Sequence, residues 1–463
     1  MSKQFRTCDL NQPLLLPPSL QEWLPEGHLA RFIAEVVETL DLSEIYARYE
    51  RKDGRGQAAY HPVLMVRLLI YGYCMGVVSS RRMERATHED IAFRYLAADQ
   101  HPDHDTIAAF RQEQLRSLSR LFVQVLRLCQ RAGLVKLGHV ALDGTKVKAN
   151  ASKHKAMSYE RMEEAEKKLQ TEVEALLVEA ARVDAAEDGK YGKGKRGDEW
   201  PAELARRESR LKKIREAKAA LEQEAREAAE GKKAEVEARL KERAQEEEER
   251  GRKLSGRPPQ IPDPEEAKPE PRAQRNFTDP DSRIMKDGAT KEFVQGYNTQ
   301  AVVDSEAQVI VVAAVTQQAN DKEQLVAMLE RVEKVTGSKP QQATADAGYF
   351  SEKGVSDPKL AGIDLLVAPD RQKHGEDRVS AAGPPGPEMA ERMRQKLRTP
   401  EGQAVYKMRK AVVEPVFGQI KERRGFRRFL LRGLARVEAE WQIICATHNL
   451  LKLFHSGWRP QIA

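Results

Sequence analysis

The sequence of 463 residues predicts an α/β protein, with a mixed sheet that follows an all-helical segment and is interrupted by a long helical insertion. Three observations predict this class. Apolar residues recur at helical spacing through the first 135 positions. Short β-branched runs, typical of strands, occur at 139–150 and again after position 276. The charged stretch between them carries apolar residues at alternating steps of three and four, which is a coiled-coil pattern.

The overall charge favours an anionic partner. Lys and Arg total 78 against 71 Asp and Glu, giving a formal net charge of +7 and a pI of about 9.0. Four cysteines are scattered without zinc-binding spacing, which predicts reduced thiols in an intracellular protein. The best candidate for a membrane span, 63–78, contains Arg67 and is shorter than the ~20 residues that a span needs. We therefore expect a soluble, cytoplasmic protein without membrane contact.

Residues 1–135 are predicted to form a helical N-terminal domain that binds DNA. Apolar spacing predicts helices over 28–40, 62–75 and 103–110. Asp105 is the expected cap of the third helix. Short helices joined by polar turns, with Arg81 and Arg82 exposed, are typical of helix-turn-helix proteins. The alternative is a helical cap that only packs against the next domain.

Residues 158–250 are predicted to form a coiled-coil helical hairpin inserted into the domain that follows. Its helices are expected over 158–183 and 202–230, although Arg207 and Lys218 interrupt the apolar seam of the second helix. The segment between them is basic and rich in glycine. It either is solvated or contacts DNA phosphates through four basic residues: Lys190, Lys193, Lys195 and Arg196. The hairpin could also be a dimerisation arm. Residues 251–275, rich in Pro and charge, are predicted to be a flexible linker.

Residues 136–157 and 276–463 are predicted to be two parts of one mixed α/β domain. β-branched runs predict strands over 140–148, 296–303, 308–316, 341–345 and 364–368. Periodicity predicts a helix over 321–335, a polar loop over 371–387 and helices towards the C-terminus. Without the insertion, the order of elements is that of a sheet with helical crossovers.

Three acids in this domain are candidates for catalysis. Asp143 and Asp346 each follow a short apolar strand with a glycine within two residues, and Glu414 lies in a later apolar stretch. A carboxylate at a buried strand end is costly unless a cation compensates it, and Mg²⁺ prefers such oxygen ligands. The alternative for each aspartate is a turn residue or a helix cap. Three other acids could replace Glu414 as third ligand: Asp304, Asp364 and Asp370.

Residues 406–421 add a more specific pattern. Tyr406, Arg409, Glu414 and Lys421 resemble the Tyr-Arg-Glu-Lys box of bacterial insertion-sequence transposases of the DDE class. The phrases LDGTKVKA and TADAGYF are similar to the two other acid motifs of that family. HPVLMVRLLIYGY, PDHDTIAAFR and ATHNLLKL are similar to further parts of it. The order of elements, together with the acids, also resembles an RNase H-like domain.

This resemblance implies an RNase H-like core in which Asp143, Asp346 and Glu414 are the catalytic acids and hold two Mg²⁺ ions, with Mn²⁺ as a substitute. It implies cleavage at transposon ends and strand transfer into target DNA, with DNA contacts from Tyr406, Arg409 and Lys421. The expected partners are double-stranded DNA, as terminal inverted repeats and as target, and a second copy of the chain in a homodimer on the bacterial nucleoid. Two alternatives stay open: an RNase H-like nuclease without joining activity, and a catalytically inactive DNA-binding coiled-coil protein.

The box departs from the common pattern in two ways. Four residues separate Arg409 from Glu414, where the common box has three, so Lys410 rather than Arg409 shares a helix face with Glu414. Pro415 follows Glu414 directly. Because proline disfavours helical geometry in the preceding residue, we expect a kink or a helix start at Glu414.

A cluster of arginines follows the box and is predicted to contact DNA phosphates through Arg423, Arg424, Arg427 and Arg428. Phe426 and Phe429 lie among these arginines, and they either stack on bases or pack in the core. His448, further on, is expected to be a hydrogen-bonded core residue rather than a catalytic one.

Overall fold

The computed structural model describes residues 19–50, 59–191, 202–252, 256–288, 290–370 and 388–460. The chain forms two compact units: Met1–Val147 with Asn298–Ala463, and Lys148–Tyr297. The prediction of an α/β protein with a mixed sheet and many helices is confirmed. The predicted boundaries at residues 135, 157, 250 and 275 stay a prediction. The predicted loop over 371–387 lies outside the described residues.

In the part of the chain that the structure describes, seven helices precede the first strand: α1 (Leu29–Glu38), α2 (Ser43–Glu50), α3 (Pro62–Met75), α4 (Ser80–Glu89), α5 (Ile91–Leu96), α6 (His104–Glu113) and α7 (Leu115–Arg131). α3 has the predicted bounds. Pro62 suits its first position, where no helical hydrogen bond is lost. Gly76 ends α3 in the left-handed conformation, with φ of 72°. A Cβ on Gly76 would lie 2.5 Å from the carbonyl oxygen of Arg424, so this close approach also requires glycine.

The cap of α6 differs from the prediction. Asp103, not Asp105, accepts hydrogen bonds from the backbone N–H and the hydroxyl of Thr106, at 2.8 and 2.7 Å. A capping carboxylate reaches the N–H two or three residues further on, and Asp103 has that spacing from Thr106. Asp105 lies in the first turn of α6 with an exposed side chain.

Among the described residues, no single helix is long and apolar enough to cross a membrane. α3 and α4 taken together have the length and composition of a membrane span, but the two helices are bent by 100° relative to each other. Within α3, Arg67 pairs with Glu38 of α1 at 2.7 Å.

The first strand, β1 (His139–Lys148), leads from the first unit into the second. A short 3₁₀ turn at Lys153–Lys155 follows it. The second unit then contains β2 (Ala156–Ser158), α8 (Tyr159–Tyr191), α9 (Ala202–Arg250), β3 (Gln274–Asn276) and β4 (Arg283–Lys286). β2 and β3 form a small antiparallel ladder.

The two long helices of the second unit pack antiparallel. Glu166 of α8 pairs with Arg215 and Lys218 of α9, whereas Glu172, further along α8, pairs with the earlier Arg207. The contact buries Met162, Leu169, Leu211, Ile214 and Leu221. Both helices begin where predicted and extend beyond their predicted ends, and the coiled-coil character of the pair stays a prediction.

The remaining strands complete the sheet of the first unit. β5 (Phe293–Asp304) is followed by β6 (Val309–Thr316), α10 (Gln324–Thr336), β7 (Gln342–Ala345), α11 (Glu352–Val355), a 3₁₀ turn (Pro358–Leu360) and β8 (Asp364–Val367). Within the described ranges, the sheet has six strands in the order β4-β5-β1-β7-β8, and β6 also pairs with β5. β7 runs parallel to β1, β8 runs parallel to β7, and β5 pairs antiparallel with β6. β5 is also antiparallel to β1, since Ser305 donates its N–H to His139 and Thr299 donates its hydroxyl to the carbonyl of Thr145. The predicted hairpin and the two later strands are confirmed.

In the described stretches 290–370 and 388–460, three α-helices follow the sheet: α12 (Glu388–Arg398), α13 (Pro400–Gly418) and α14 (Leu434–His455). α14 packs against α3, α7 and β6 and contributes the buried Trp441. Nε2 of His448, on α14, lies 3.0 Å from the carbonyl oxygen of Gln308. Burial lowers the pKa of His448 to about 3. The ring is therefore neutral and donates from Nε2, as expected for a hydrogen-bonded core histidine.

Of the two expectations at Glu414, the helix start is wrong and the kink stays a prediction. Pro415 lies inside α13, which continues to Gly418 and passes into a π-helical segment at Gln419–Arg423. The missing N–H of Pro415 would leave the carbonyl of Ala411 without its helical partner. The side-chain amide of Gln308 donates to that carbonyl instead, at 3.0 Å.

Candidate active site

Asp143 lies near the middle of β1, where the burial pattern of the strand changes from buried to partly exposed. Its Oδ1 accepts a hydrogen bond from the N–H of Gly144 at 2.8 Å, and its Oδ2 accepts one from Nη1 of Arg409 at 3.2 Å. Burial raises the pKa of Asp143 to about 7, against the opposing effect of Arg409. Asp346 and Asp321 raise it further, so three carboxylates share this region.

Asp346 directly follows β7, the parallel neighbour of β1. The register pairs Val140 with Ala343 and Ala141 with Thr344, and its continuation brings Asp143 opposite Asp346. Asp346 Oδ1 accepts the N–H of Gly348 at 2.9 Å. The two aspartates that follow apolar runs therefore lie beside each other at one edge of the site, and their catalytic role stays a proposal.

Asp321, between β6 and α10, is a third acid here that sequence reasoning missed. Its Oδ1 accepts hydrogen bonds from Asn298 Nδ2 at 2.7 Å and from Gln300 Nε2 at 2.6 Å. A Cβ built on Gly348 would lie 3.0 Å from Asp346 Oδ1 and 3.4 Å from Asp321 Oδ2. In the sequence, Asp321 precedes a periodic helix and cannot be distinguished from an ordinary helix-start residue.

Tyr349 and Gln300 form a buried polar layer under the acids. The Tyr349 hydroxyl donates to Gln300 Oε1, and Trp441 Nε1 donates to the Gln300 carbonyl at 3.1 Å. Burial and the nearby aspartates hold the pKa of Tyr349 well above its usual value, so the hydroxyl keeps its proton and donates. Gln300 thereby links the core helix α14 to Asp321.

Lys421 reaches the same strand from the π-helical segment. Its Nζ donates to Thr145 Oγ1 at 3.0 Å and to the carbonyl oxygen of Lys146 at 3.2 Å. Both acceptors lie on β1 within three residues of Asp143. The box therefore brings two cations, Arg409 and Lys421, to β1.

Glu414 has a different surrounding. It is exposed on α13, five residues after the buried Arg409, which places it about 140° around the helix from the face that meets Asp143. Among the described residues, no group of three or more Asp, Glu, His or Cys side chains is arranged to hold a metal ion. The guanidinium of Arg409 also lies 5.7 Å from the ring centre of Tyr406.

The three alternative third acids have other partners. Asp304 is buried and accepts the backbone N–H groups of Lys136 and Leu137. Asp364 pairs with Lys396, and Asp370 pairs with Arg394 at 2.8 Å. Each of these carboxylates is therefore engaged in holding neighbouring elements together.

The predicted DNA-contact arginines fall into two groups. Arg81, Arg82, Arg423, Arg427 and Arg428 are exposed. Arg424 is only 6% exposed and donates to Thr447 Oγ1 at 2.9 Å and to the Ile444 carbonyl, and burial lowers its pKa to about 10. Contrary to the prediction, the Arg424 guanidinium is thus committed to α14 rather than available to phosphate.

Two further expectations concern the surroundings of these arginines. Phe426 and Phe429 are buried, which favours core packing over base stacking. Gly76, at the end of α3, touches the backbone of Arg424, so the arginine-rich turn lies against the helical segment that leads into α4.

Of the basic hairpin tip, Lys193, Lys195 and Arg196 lie outside the described residues.

Two family models match the chain. Residues 18–113 match a transposase domain (DUF772), and residues 373–454 match a transposase DDE domain. These matches support a DDE-type transposase. Transposase domains imply DNA as the partner, and DDE transposases generally use divalent metal ions. The second match contains Arg409, Glu414 and Lys421, whereas Asp143, Asp321 and Asp346 lie between the two matches. No curated protein and no solved structure matches the chain.

Proposed function

We propose that the protein is a transposase that cuts DNA at transposon ends and joins those ends to target DNA. The observation that carries this proposal is the parallel pairing of β1 and β7, which sets Asp143 beside Asp346. Arg409 and Lys421, from the region that matches the DDE domain, reach the same strand. We interpret the sheet as RNase H-like, because its strand order and directions combine an antiparallel β6-β5-β1 part with parallel β7 and β8.

Asp143 and Asp346 offer carboxylate oxygens as ligands for a divalent cation. They lie beside each other on β1 and directly after β7, and Arg409 is the cation that pairs with Asp143. Oxygen donors of this kind suit Mg²⁺ or Mn²⁺. In the proposal Asp143, Asp346 and Glu414 would hold two such ions, with Glu414 turned from its exposed position on α13 towards the aspartates. The chemistry that such ions would supply is activation of the attacking water or hydroxyl and stabilisation of the leaving oxygen at phosphorus.

The remaining residues orient the acids and the DNA. Arg409 fixes Asp143 by a nearly buried ion pair, and Tyr406 lies beside its guanidinium. Lys421 is close enough to β1 to bind a phosphate next to the acids. The exposed Arg423, Arg427 and Arg428, with Arg81 and Arg82 on α4, would contact phosphates along the duplex.

The DNA itself would be read as inverted repeats at the transposon ends, and bringing two ends together suggests a homodimer. The paired helices α8 and α9 are a candidate arm for that assembly, as a coiled coil. Such activity belongs in the bacterial cytoplasm, at the nucleoid.

A strand-transfer assay tests the proposal. Purified protein is incubated with Mg²⁺, a labelled duplex carrying the DNA that flanks the coding sequence, and a supercoiled target plasmid. A transposase produces labelled ends covalently joined to the plasmid. Cleavage without joined product would identify a nuclease, and binding without cleavage would identify an inactive DNA-binding protein.

A further inference from the structure

We propose that α4 and the arginine-rich turn (residues 421–432) form one continuous surface for a single short stretch of duplex DNA, and that the buried Arg111 is the positioning residue that joins them. This inference rests on the proposed transposase function and deepens it, because it states how two separate groups of arginines share one partner. Both segments belong to the first compact unit of the chain.

The positive charge of the chain is concentrated in these two segments. Residues 80–89 and 421–432 together contain nine Lys and Arg against three Glu, a formal excess of six, whereas the whole chain has a formal charge of +7. Two of the three acids are paired, Glu84 with His104 and Glu422 with Arg427. Seven of the arginines are exposed: Arg81, Arg82, Arg85, Arg423, Arg427, Arg428 and Arg432. Because such side chains replace the counterions of DNA phosphates, this concentration fits a polyanionic duplex.

The end of α3, which leads into α4, packs directly against the arginine-rich turn. A Cβ on Gly76 would lie 2.5 Å from the carbonyl oxygen of Arg424 and 3.4 Å from its Cα. The rings of Tyr73 and Phe426 stack with their centres 5.6 Å apart. The backbone that precedes α4 is therefore in close contact with the backbone of the turn.

This contact limits the distance between the two groups of arginines. Arg81 comes five residues after Gly76, and five residues of fully extended chain span at most about 18 Å. The Cα atoms of Arg81 and Arg424 therefore lie within roughly 23 Å of each other. A duplex rises about 3.4 Å per base pair, so this distance corresponds to about seven base pairs. A duplex of one helical turn is long enough to contact both groups.

Arg111, on α6, connects the same two segments from the interior. Its side chain is buried, and Nη1 donates to the carbonyl oxygen of Val78, between α3 and α4, at 2.7 Å. Burial raises the pKa of Glu440, and the nearby Arg111 opposes that rise. Glu440 in turn accepts the N–H groups of Leu430 and Leu431, at the end of the turn. One buried cation thus links the start of α4 to the arginine-rich turn.

The first test is the stoichiometry with a labelled duplex of about 12 base pairs, slightly more than one helical turn. Its sequence is arbitrary, because phosphate contacts do not depend on sequence. The full chain is titrated against this duplex well above the dissociation constant. We expect one duplex per chain. Two duplexes per chain would overturn the proposal, because each group of arginines would then have its own partner.

Two paired variants show which arginines contact that duplex. Arg81→Ala with Arg82→Ala, and Arg423→Ala with Arg428→Ala, should each lower the magnitude of the slope of log K against log salt by about 2, and all four changes together by about 4. Arg127→Gln changes an exposed arginine of α7 outside both segments and should leave the slope unchanged. A slope that only one of the two pairs lowers would overturn the shared surface.

Arg111→Gln tests the positioning role. Because it removes the charge that joins Val78 to Glu440, the magnitude of the slope should fall by about 2, and removing Arg81 and Arg82 as well should add no further loss. Arg111→Lys keeps a charge and a donor and should restore most of the slope. The wild-type slope in a folded Arg111→Gln, or the loss of its folded state on melting, would overturn the role given to Arg111.

The results also separate this inference from the proposed function. Two duplexes per chain together with normal strand transfer would refute the shared surface alone. One duplex per chain without cleavage or joining of transposon ends would support the shared surface and refute the transposase activity. A chain that binds no duplex at low salt would refute both.

Discussion

Gln308, in the turn between β5 and β6, donates a hydrogen bond from Nε2 to the carbonyl oxygen of Ala411 at 3.0 Å. That carbonyl lies four residues before Pro415, which has no N–H to give it. The Oε1 of Gln308 accepts a hydrogen bond from Nζ of Lys452 at 2.7 Å. One side chain therefore satisfies the open carbonyl of α13, joins that helix to α14, and supports the helix that carries Arg409 and Glu414.

Removing Gln308 should destabilise the first unit in a way that depends on Pro415. Gln308 has φ of 57°, and Gln308→Ala keeps its Cβ, so the backbone cost is unchanged while both side-chain bonds are lost. We expect a loss of about 1–3 kcal/mol in the free energy of unfolding, measured with urea. Pro415→Ala restores an N–H for Ala411, so the loss should be smaller in the double variant. Strictly additive losses would contradict the assigned role.

Arg409 is expected to matter through Asp143. Arg409→Gln leaves the largely buried Asp143 without its cation, and Asp143 can respond by taking up a proton. We therefore expect loss of DNA cleavage and a loss of about 1–3 kcal/mol in unfolding free energy without metal. Lys410→Gln, at the adjacent exposed position, is the control and should change neither quantity. Cleavage at wild-type rates by Arg409→Gln would show that the ion pair is incidental.

Glu440 should make stability depend on pH. This buried carboxylate accepts the N–H groups of Leu430 and Leu431, yet burial raises its pKa from 4.5 to about 7. Because the folded pKa is the higher one, its stabilising contribution is complete below pH 4.5 and is lost as the pH rises through about 7. Between these values the wild type should lose up to about 3 kcal/mol relative to Glu440→Gln. Urea unfolding across this range measures the difference, and parallel curves for the two proteins would be the contrary result.

The arginine-rich turn should separate into DNA-binding and structural positions. Arg423→Ala and Arg428→Ala, at exposed sites, should weaken DNA binding and each lower the slope of log K against log salt by about 1. Arg424→Gln should instead lower the melting temperature and leave the salt slope of the folded protein unchanged. Fluorescence anisotropy at several salt concentrations measures the slopes. An unchanged slope in the two exposed variants would remove this turn from the DNA path.

Much of the fold follows from local pattern. α3 has proline at its start and glycine at its end, and the hairpin of β5 and β6 has β-branched runs on either side of a polar turn. The order of elements also indicates that Asp143 and Asp346 follow strands of one sheet. Parallel strands that share a register bring their ends together, which is why two distant aspartates could be paired from sequence.

The remainder depends on contacts that no local pattern carries. Asp321 precedes α10 as an ordinary acid would, and only the folded chain brings Asn298 and Gln300 to its carboxylate. Pro415 predicts a helix start from local sterics, but Gln308, more than a hundred residues away, supplies the missing donor. Arg424 has the same sequence surroundings as its exposed neighbours, and its burial against α14 is decided by tertiary packing.

The most direct test of the acid site is strand transfer by Asp143→Asn and Asp346→Asn, with Asp364→Asn as the matched control. Asp364 begins a strand of the same sheet but pairs with Lys396, so its variant should join labelled ends to the target plasmid as the wild type does. The first two variants should still bind the end DNA, yet yield neither cleaved nor joined product in Mg²⁺. Joined product from Asp143→Asn at the wild-type level would contradict the assignment of the site.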